Sequence, residues 1–155
     1  MPAPIAIIGY GTAGQACALQ LARLGHQVQV FEQAPNLRPV GAGFLLQPTG
    51  LSVLKNMGLE AAVAQCAAPI SRLYGENHQG KRIMDMCYAD WRVDAQGWGV
   101  QRAALFDTLH AAMPDTVTLH TNAHIVALDA QRGTLRLDTG EEHGEFAAMI
   151  VCDGS

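Results

Sequence analysis

Residues 5–32 constrain the fold of this chain more than any other stretch. Ile5-Ala6-Ile7-Ile8 is an unbroken apolar run, suited to a strand buried on both faces of a parallel sheet. Gly9, Gly11 and Gly14 follow at once with the spacing G-x-G-x-x-G. In that pattern the first glycine allows a tight turn, the second lets backbone approach a pyrophosphate, and the third brings helix and strand close. A helix is predicted from there to Leu24, with Gly25 as its stop. Its apolar positions Ala13, Cys17, Leu21 and Leu24 predict the buried stripe, with Gln15, Gln20 and Arg23 facing away. The first amides of such a helix, at the positive end of its dipole, form an anion site. A second strand, 28–32, ends on Glu32, 21 positions beyond Gly11. A carboxylate there can accept hydrogen bonds from both ribose hydroxyls of an adenosine. A ligand-free glycine turn leaves that acid unexplained.

Composition narrows the class. The chain has 155 residues, enough for one ordinary core, with 49% apolar and 15% charged residues, which excludes a disordered chain. A net charge of −4 argues against nucleic acid or an anionic membrane as the main partner. Cys17, Cys66, Cys87 and Cys152 are widely spaced and read as buried free thiols of a reducing compartment. The N-terminal apolar residues read as the first strand and not as a leader, and no run is long enough to span a bilayer. A cytoplasmic location is therefore expected.

Beyond Glu32, two prolines and two glycines in 33–43 predict an irregular loop, followed by the short apolar stretch Phe44-Leu45-Leu46. Thr49 is placed to cap a helix through Leu51, Leu54 and Met57, and a second short helix is expected over 60–67. Residues 70–76 and 82–88 read as a hairpin, and 98–101 as a further extended piece. A helix over 102–113 places Leu105, Leu109 and Ala112 on one face. Strands at 117–119, 123–128, 134–137 and 145–150 read as a β-meander, and the last of them, apolar to Cys152, is expected to return to the buried parallel sheet. His120 and His124 are four apart but on strand and turn, which makes a metal site a poor reading. Trp91 and Trp98 are read as packing residues before pocket residues.

Four landmarks in order give the chain a family resemblance. They are Gly9-x-Gly11-x-x-Gly14 with Glu32, Arg38-Pro39-Val40-Gly41-Ala42-Gly43, Val100-Gln101-Arg102-Ala103-Ala104-Leu105, and Val151-Cys152-Asp153-Gly154-Ser155. Together they resemble the FAD-dependent aromatic hydroxylases, similar to p-hydroxybenzoate and salicylate hydroxylases, and match the N-terminal part of such enzymes. The resemblance implies an α/β, Rossmann-like FAD/NAD(P)-binding domain with a parallel sheet and a β-meander. It implies an incomplete FAD-binding domain over 1–155, with 70–100 as the first segment of an interleaved substrate domain. It further implies FAD as cofactor, NAD(P)H as co-substrate, and hydroxylation of a small aromatic or similar ring with O₂.

By the same resemblance, Gly9, Gly11, Thr12, Ala13, Gly14, Glu32, Gln33, Arg38, Gly43, Arg102 and Asp153 are cofactor contacts. Arg102 has separate support. A cation in the first turn of a helix opposes the dipole by about 0.3–1 kcal/mol, a cost that a bound phosphate reverses. No catalytic side chain is expected, because the flavin carries the chemistry. Two alternatives stay open. One is an NAD-dependent dehydrogenase, which uses the same glycine fingerprint. The other is a non-catalytic FAD-binding module that self-associates as a homo-oligomer through an uncovered sheet.

Overall fold

A computed structural model describes residues 3–37 and 41–154. The elements in chain order are β1 (Ile5–Ile8), α1 (Thr12–Arg23), β2 (Val28–Phe31), β3 (Gly43–Leu46), α2 (Pro48–Asn56), α3 (Glu60–Ala64), β4 (Ala67–Ile70), β5 (Arg72–Glu76) and β6 (Arg82–Cys87). They continue with β7 (Gly97–Gln101), α4 (Arg102–Ala111), β8 (Val117–His120), β9 (Ile125–Asp129), β10 (Thr134–Leu137), β11 (Glu142–His143) and β12 (Ala148–Val151). The chain divides into two compact units, Met1–Pro39 with Leu109–Ser155, and Val40–Thr108. Among the described residues no helix is long and apolar enough to cross a membrane.

The first unit is built on a parallel sheet in the order β12-β1-β2-β8. Ala6 and Ile7 of β1 and Val30 of β2 are fully buried, as a strand covered on both faces requires. α1 makes the crossover from β1 to β2. It ends in a Schellman motif: the Gly25 amide donates to the Ala22 carbonyl, and the His26 amide to that of Leu21, with Gly25 at φ +85°. The three-stranded meander β11-β10-β9 supplies a second layer. Its Leu135 and Leu137 cluster with Ala6, Phe31, Ala123 and Phe146, so the core of this unit lies between sheet and meander.

Three sequence expectations change here. The buried residues of α1 are Gly14, Gln15, Ala18 and Leu19, while Leu24 is 75% exposed. The stripe is displaced because a glycine, not the apolar count, marks the point where the helix touches the strand. Strand β8 belongs to the parallel sheet, pairing Val28 with Val117 and Phe31 with His120, and not to the meander. β12 does return to the sheet, in register with β1 from Ile5–Ala148 to Ile8–Val151, but at its edge and only half-buried. The four cysteines are free, yet Cys66 is exposed and the others are half-buried.

The second unit holds an antiparallel sheet in the order β3-β7-β4 and a separate hairpin, β5-β6. Ile70 therefore belongs to β4 and not to the hairpin, because the chain changes sheets at Ser71, whose carbonyl accepts the Tyr88 amide. α2 is capped differently from the Thr49 expectation. Gln47 is its N-cap residue and Pro48 its first helical residue, a position that tolerates a missing amide. The Gln47 side chain is taken instead by the Tyr88 hydroxyl, which donates to Oε1 at 2.6 Å. Trp98 is buried in β7, whereas Trp91 is 68% exposed.

Two consequences are measurable. Leu135→Ala removes a fully buried side chain from the sheet–meander core and should cost about 2–5 kcal/mol in urea unfolding, whereas Leu128→Ala, at an exposed position, should stay within about 0.5 kcal/mol. The second concerns His120, whose ring stacks on Phe31 at 4.6 Å and lies 5.2 Å from that of His143. Burial, and then His143, push its pKa below the usual histidine value. The unfolded chain therefore binds the proton more tightly. The stability contribution is complete above about pH 6.5 and is lost as the pH falls from there through the folded value. The urea midpoint should fall with acidification in the wild type, and His120→Gln should flatten that slope.

Candidate functional site

In the first unit the glycine loop is shaped by contacts that leave no room for side chains. Gly9 stands at φ +95°, and its amide donates to the Phe31 carbonyl at 2.8 Å. A Cβ at Gly9 would lie 2.7 Å from the Cys152 carbonyl oxygen and 3.0 Å from the Asp153 Cα. A Cβ at Gly14 would lie 1.9 Å from the Gly9 carbonyl oxygen, so this residue fixes how closely α1 seats on the loop. Gly11 is different. It has ordinary φ, −70°, and a Cβ there would meet nothing within 4 Å. The second glycine is not demanded by the protein's own packing, and the space in front of it is open.

Gly11 is also the N-cap of α1, and among the described residues no side chain caps the helix. Thr12, Ala13 and Gly14 thus open a helix whose positive end is not neutralised by a capping group. The Gly11 carbonyl accepts the Gln15 amide at 2.9 Å. Glu32 follows β2 and is clamped by main chain. Its Oε2 accepts the Tyr10 amide at 2.7 Å, and its Oε1 accepts the Ala34 amide at 2.8 Å. A carboxylate has about four acceptor positions, so each oxygen keeps one. Gln33 is exposed beside it, and Asp153 is exposed at the end of β12, against Gly9. Beside Asp153, burial and the adjacent Cys17 push the Cys152 thiol pKa up.

The sequence pattern did not single out Tyr10 and Gln15. Tyr10 is 2% exposed, its hydroxyl hydrogen-bonds with His110 Nδ1 at 2.8 Å, and its carbonyl accepts Gln15 Nε2 at 3.2 Å. Gln15 was expected on the outer face of α1 but is fully buried, and its Oε1 has no partner among the described residues. An aromatic residue between two glycines was the available signal.

In the second unit the Arg102 side chain lies over the Phe44 ring, 5.3 Å from its centroid, and beside Gly41, where a Cβ would sit 2.9 Å from Nε. Among the described residues no carboxylate pairs with Arg102. Gly43 opens β3 instead of lying in a loop. A Cβ there would meet the Val100 carbonyl oxygen at 2.8 Å, so strand packing alone calls for glycine. An open groove of about 830 Å³ runs over Ala42, Phe44, Ala67, Gly99 and Val100. Arg38 lies outside the described residues. The two units thus carry two sets of expected contacts, Gly9 to Gly14 with Glu32, Gln33 and Asp153 in one, and Gly43 with Arg102 in the other.

The features of the first unit fit a bound dinucleotide: open space at Gly11, an uncapped helix start and a carboxylate with acceptor capacity left. Comparison with known proteins names the dinucleotide. A family model described as FAD binding domain matches residues 2–148. The chain belongs to this family. Of the two dinucleotides the glycine fingerprint allows, FAD is the one the family binds. Among curated relatives, 6-hydroxynicotinate 3-monooxygenase of Pseudomonas fluorescens is 31% identical over 97% of this chain and 37% of its own length. Salicylate hydroxylase of Pseudomonas putida is 35% identical over 73% of this chain and 27% of its own length. Among solved structures, 2-methyl-3-hydroxypyridine-5-carboxylic acid oxygenase superposes with a TM-score of 0.80 and 27% identity, covering 93% of this chain and 38% of that one. The chain spans less than two fifths of the length of these relatives.

The two loop glycines should separate in mutagenesis. Gly14→Ala drives a methyl into the Gly9 carbonyl and should destabilise the apo chain by about 3 kcal/mol. Gly11→Ala should leave the apo melting temperature unchanged within error.

Proposed function

We propose that this chain is the FAD-holding part of an NAD(P)H-dependent monooxygenase that hydroxylates a small aromatic or similar ring. The observation that carries the reading is the juxtaposition at the first glycine loop. An uncapped helix start behind an open Gly11 lies beside a carboxylate already oriented by two main-chain amides. The relatives named above, which carry hydroxylase and monooxygenase names, support the reaction class.

In this reading Glu32 accepts the ribose hydroxyls of the adenosine with the acceptor positions that Tyr10 and Ala34 leave. The amides of Thr12, Ala13 and Gly14 hold the pyrophosphate at the positive end of α1, and Gly9 and Gly11 keep the approach clear. Asp153, beside Gly9, lies at the carboxyl edge of the sheet, where open α/β folds place ligand contacts. Arg102 supplies a guanidinium with no acidic partner among the described residues, suited to phosphate, and its stacking on Phe44 limits its rotamers. Gln33, Gly43 and Arg38 remain assigned by resemblance. When bound, FAD would supply the redox and oxygen-transfer chemistry of the hydroxylation, with NAD(P)H as the reductant and O₂ as the oxygen source. The protein orients the cofactor and keeps water from the reacting ring. Residues 70–100 are assigned to the start of the substrate domain.

A second reading, a binding module that self-associates, draws on β12. That strand is a sheet edge, and its Val151 is 55% exposed. A monodisperse monomer in light scattering at rising concentration would remove it.

The main test is an FAD titration of the 155-residue chain followed by flavin fluorescence, with NAD⁺ as competitor. FAD should bind and NAD⁺ should compete poorly. Glu32→Ala should weaken FAD by about tenfold or more, the loss of hydrogen bonds to a charged acceptor. Gly11→Ala should weaken it as well while the fold is kept. Unchanged FAD affinity in Glu32→Ala would sink the ribose assignment.

A further inference from the structure

The first glycine loop is short of side-chain anchors. Gly9 and Gly11 flank a single residue, and both lack any side chain with which to hold the loop in place. The residue between them is Tyr10, and all three of its polar groups are engaged. Its amide donates to Glu32 Oε2, its carbonyl accepts from Gln15 Nε2, and its hydroxyl hydrogen-bonds with His110 Nδ1. The imidazole also packs edge-on to the phenol ring, with centroids 5.8 Å apart and planes at 90°. Burial pushes the Tyr10 pKa up to about 12, so the hydroxyl keeps its proton throughout the neutral range.

Gln15 points the same way. Burying an amide whose oxygen has no partner among the described residues is unfavourable, a cost that an apolar residue in the same place would avoid. The compensating contact is its bond to the Tyr10 carbonyl. A helix-face glutamine and a distant histidine therefore converge on one main-chain residue, and that residue's amide holds the carboxylate at the end of β2.

We infer that Tyr10, held through its phenol by His110 and through its carbonyl by Gln15, is the positioning residue that fixes Glu32 for the adenosine ribose of FAD. The inference rests on the ribose assignment proposed above for Glu32. Glu32 itself meets the ribose, and Tyr10 acts only through it. The phenol tie holds the Tyr10 amide at 2.7 Å from Oε2 and keeps the carboxylate from rotating away from the ribose.

The test compares FAD with its analogue lacking the adenosine 2′-hydroxyl, by fluorescence titration of the full chain. The variants are Tyr10→Phe, His110→Ala and their double mutant, and each apo melting temperature is measured alongside. The wild type should prefer FAD by about tenfold, the worth of a hydrogen bond to a charged group. Tyr10→Phe, which deletes only the hydroxyl, should reduce that preference to about threefold or less, and His110→Ala should do the same. The double mutant should be no worse than either, because both remove one contact. A purely structural role would lower the melting temperature and leave the FAD-to-analogue ratio at the wild-type value, which overturns the inference while the ribose assignment stands. A wild type that binds both cofactors equally overturns the ribose assignment, and this inference with it.

Discussion

The contact on which the first unit depends is the close seating of α1 on the glycine loop at Gly14. Replacing the Cα hydrogen there by a methyl would put it 1.9 Å from the Gly9 carbonyl oxygen, well inside any allowed contact. That approach sets the rotation of α1 about its axis. It places Gly14, Gln15, Ala18 and Leu19 inward, and it aims the helix start across Gly11. Gly9 is constrained from the other side by the Cys152 carbonyl of the chain leaving β12. Two glycines are thus demanded by the protein's own backbone, and the one between them is left facing open space. The loop is close-packed where it meets protein and open in front of Gly11.

Charge is distributed to match. Among the described residues the helix start has no capping side chain, and the acid at the end of β2 is held by two amides and by no cation. Main-chain donors cost no side-chain entropy to position, so the carboxylate is oriented before any ligand arrives. In the second unit Arg102 is steered by an aromatic face and by a glycine at φ +104°. Both charged groups are thus oriented by contacts that leave part of their hydrogen-bonding capacity free.

Much of this was legible in residues 5–32. An apolar tetrapeptide, three glycines at fixed spacing, a helix stop and an acid each impose a local geometry on the chain, and local geometry is what sequence encodes most directly. β1, α1, β2, the Gly25 cap and the place of Glu32 follow from it. The apolar run to Cys152 marked the last strand for the buried sheet, though not its neighbour there, and the hairpin and the Arg102 helix were legible for the same reason. Their hydrophobic periods and turn residues lie within a few positions of one another.

Tertiary structure decided what depends on partners remote in sequence. The apolar count placed the α1 stripe on Ala13 and Cys17, and close packing at one glycine moved it to Ala18 and Leu19. The segment 117–120 has the same short apolar pattern as the meander strands, and only its pairing with β2 makes it part of the parallel sheet. Gln15 looks like a surface glutamine until Tyr10 offers it a carbonyl inside. The hydrogen bond between Tyr10 and His110 joins residues 100 positions apart. No local propensity encodes such a bond, because the free energy that favours it exists only once the fold has brought the two rings together.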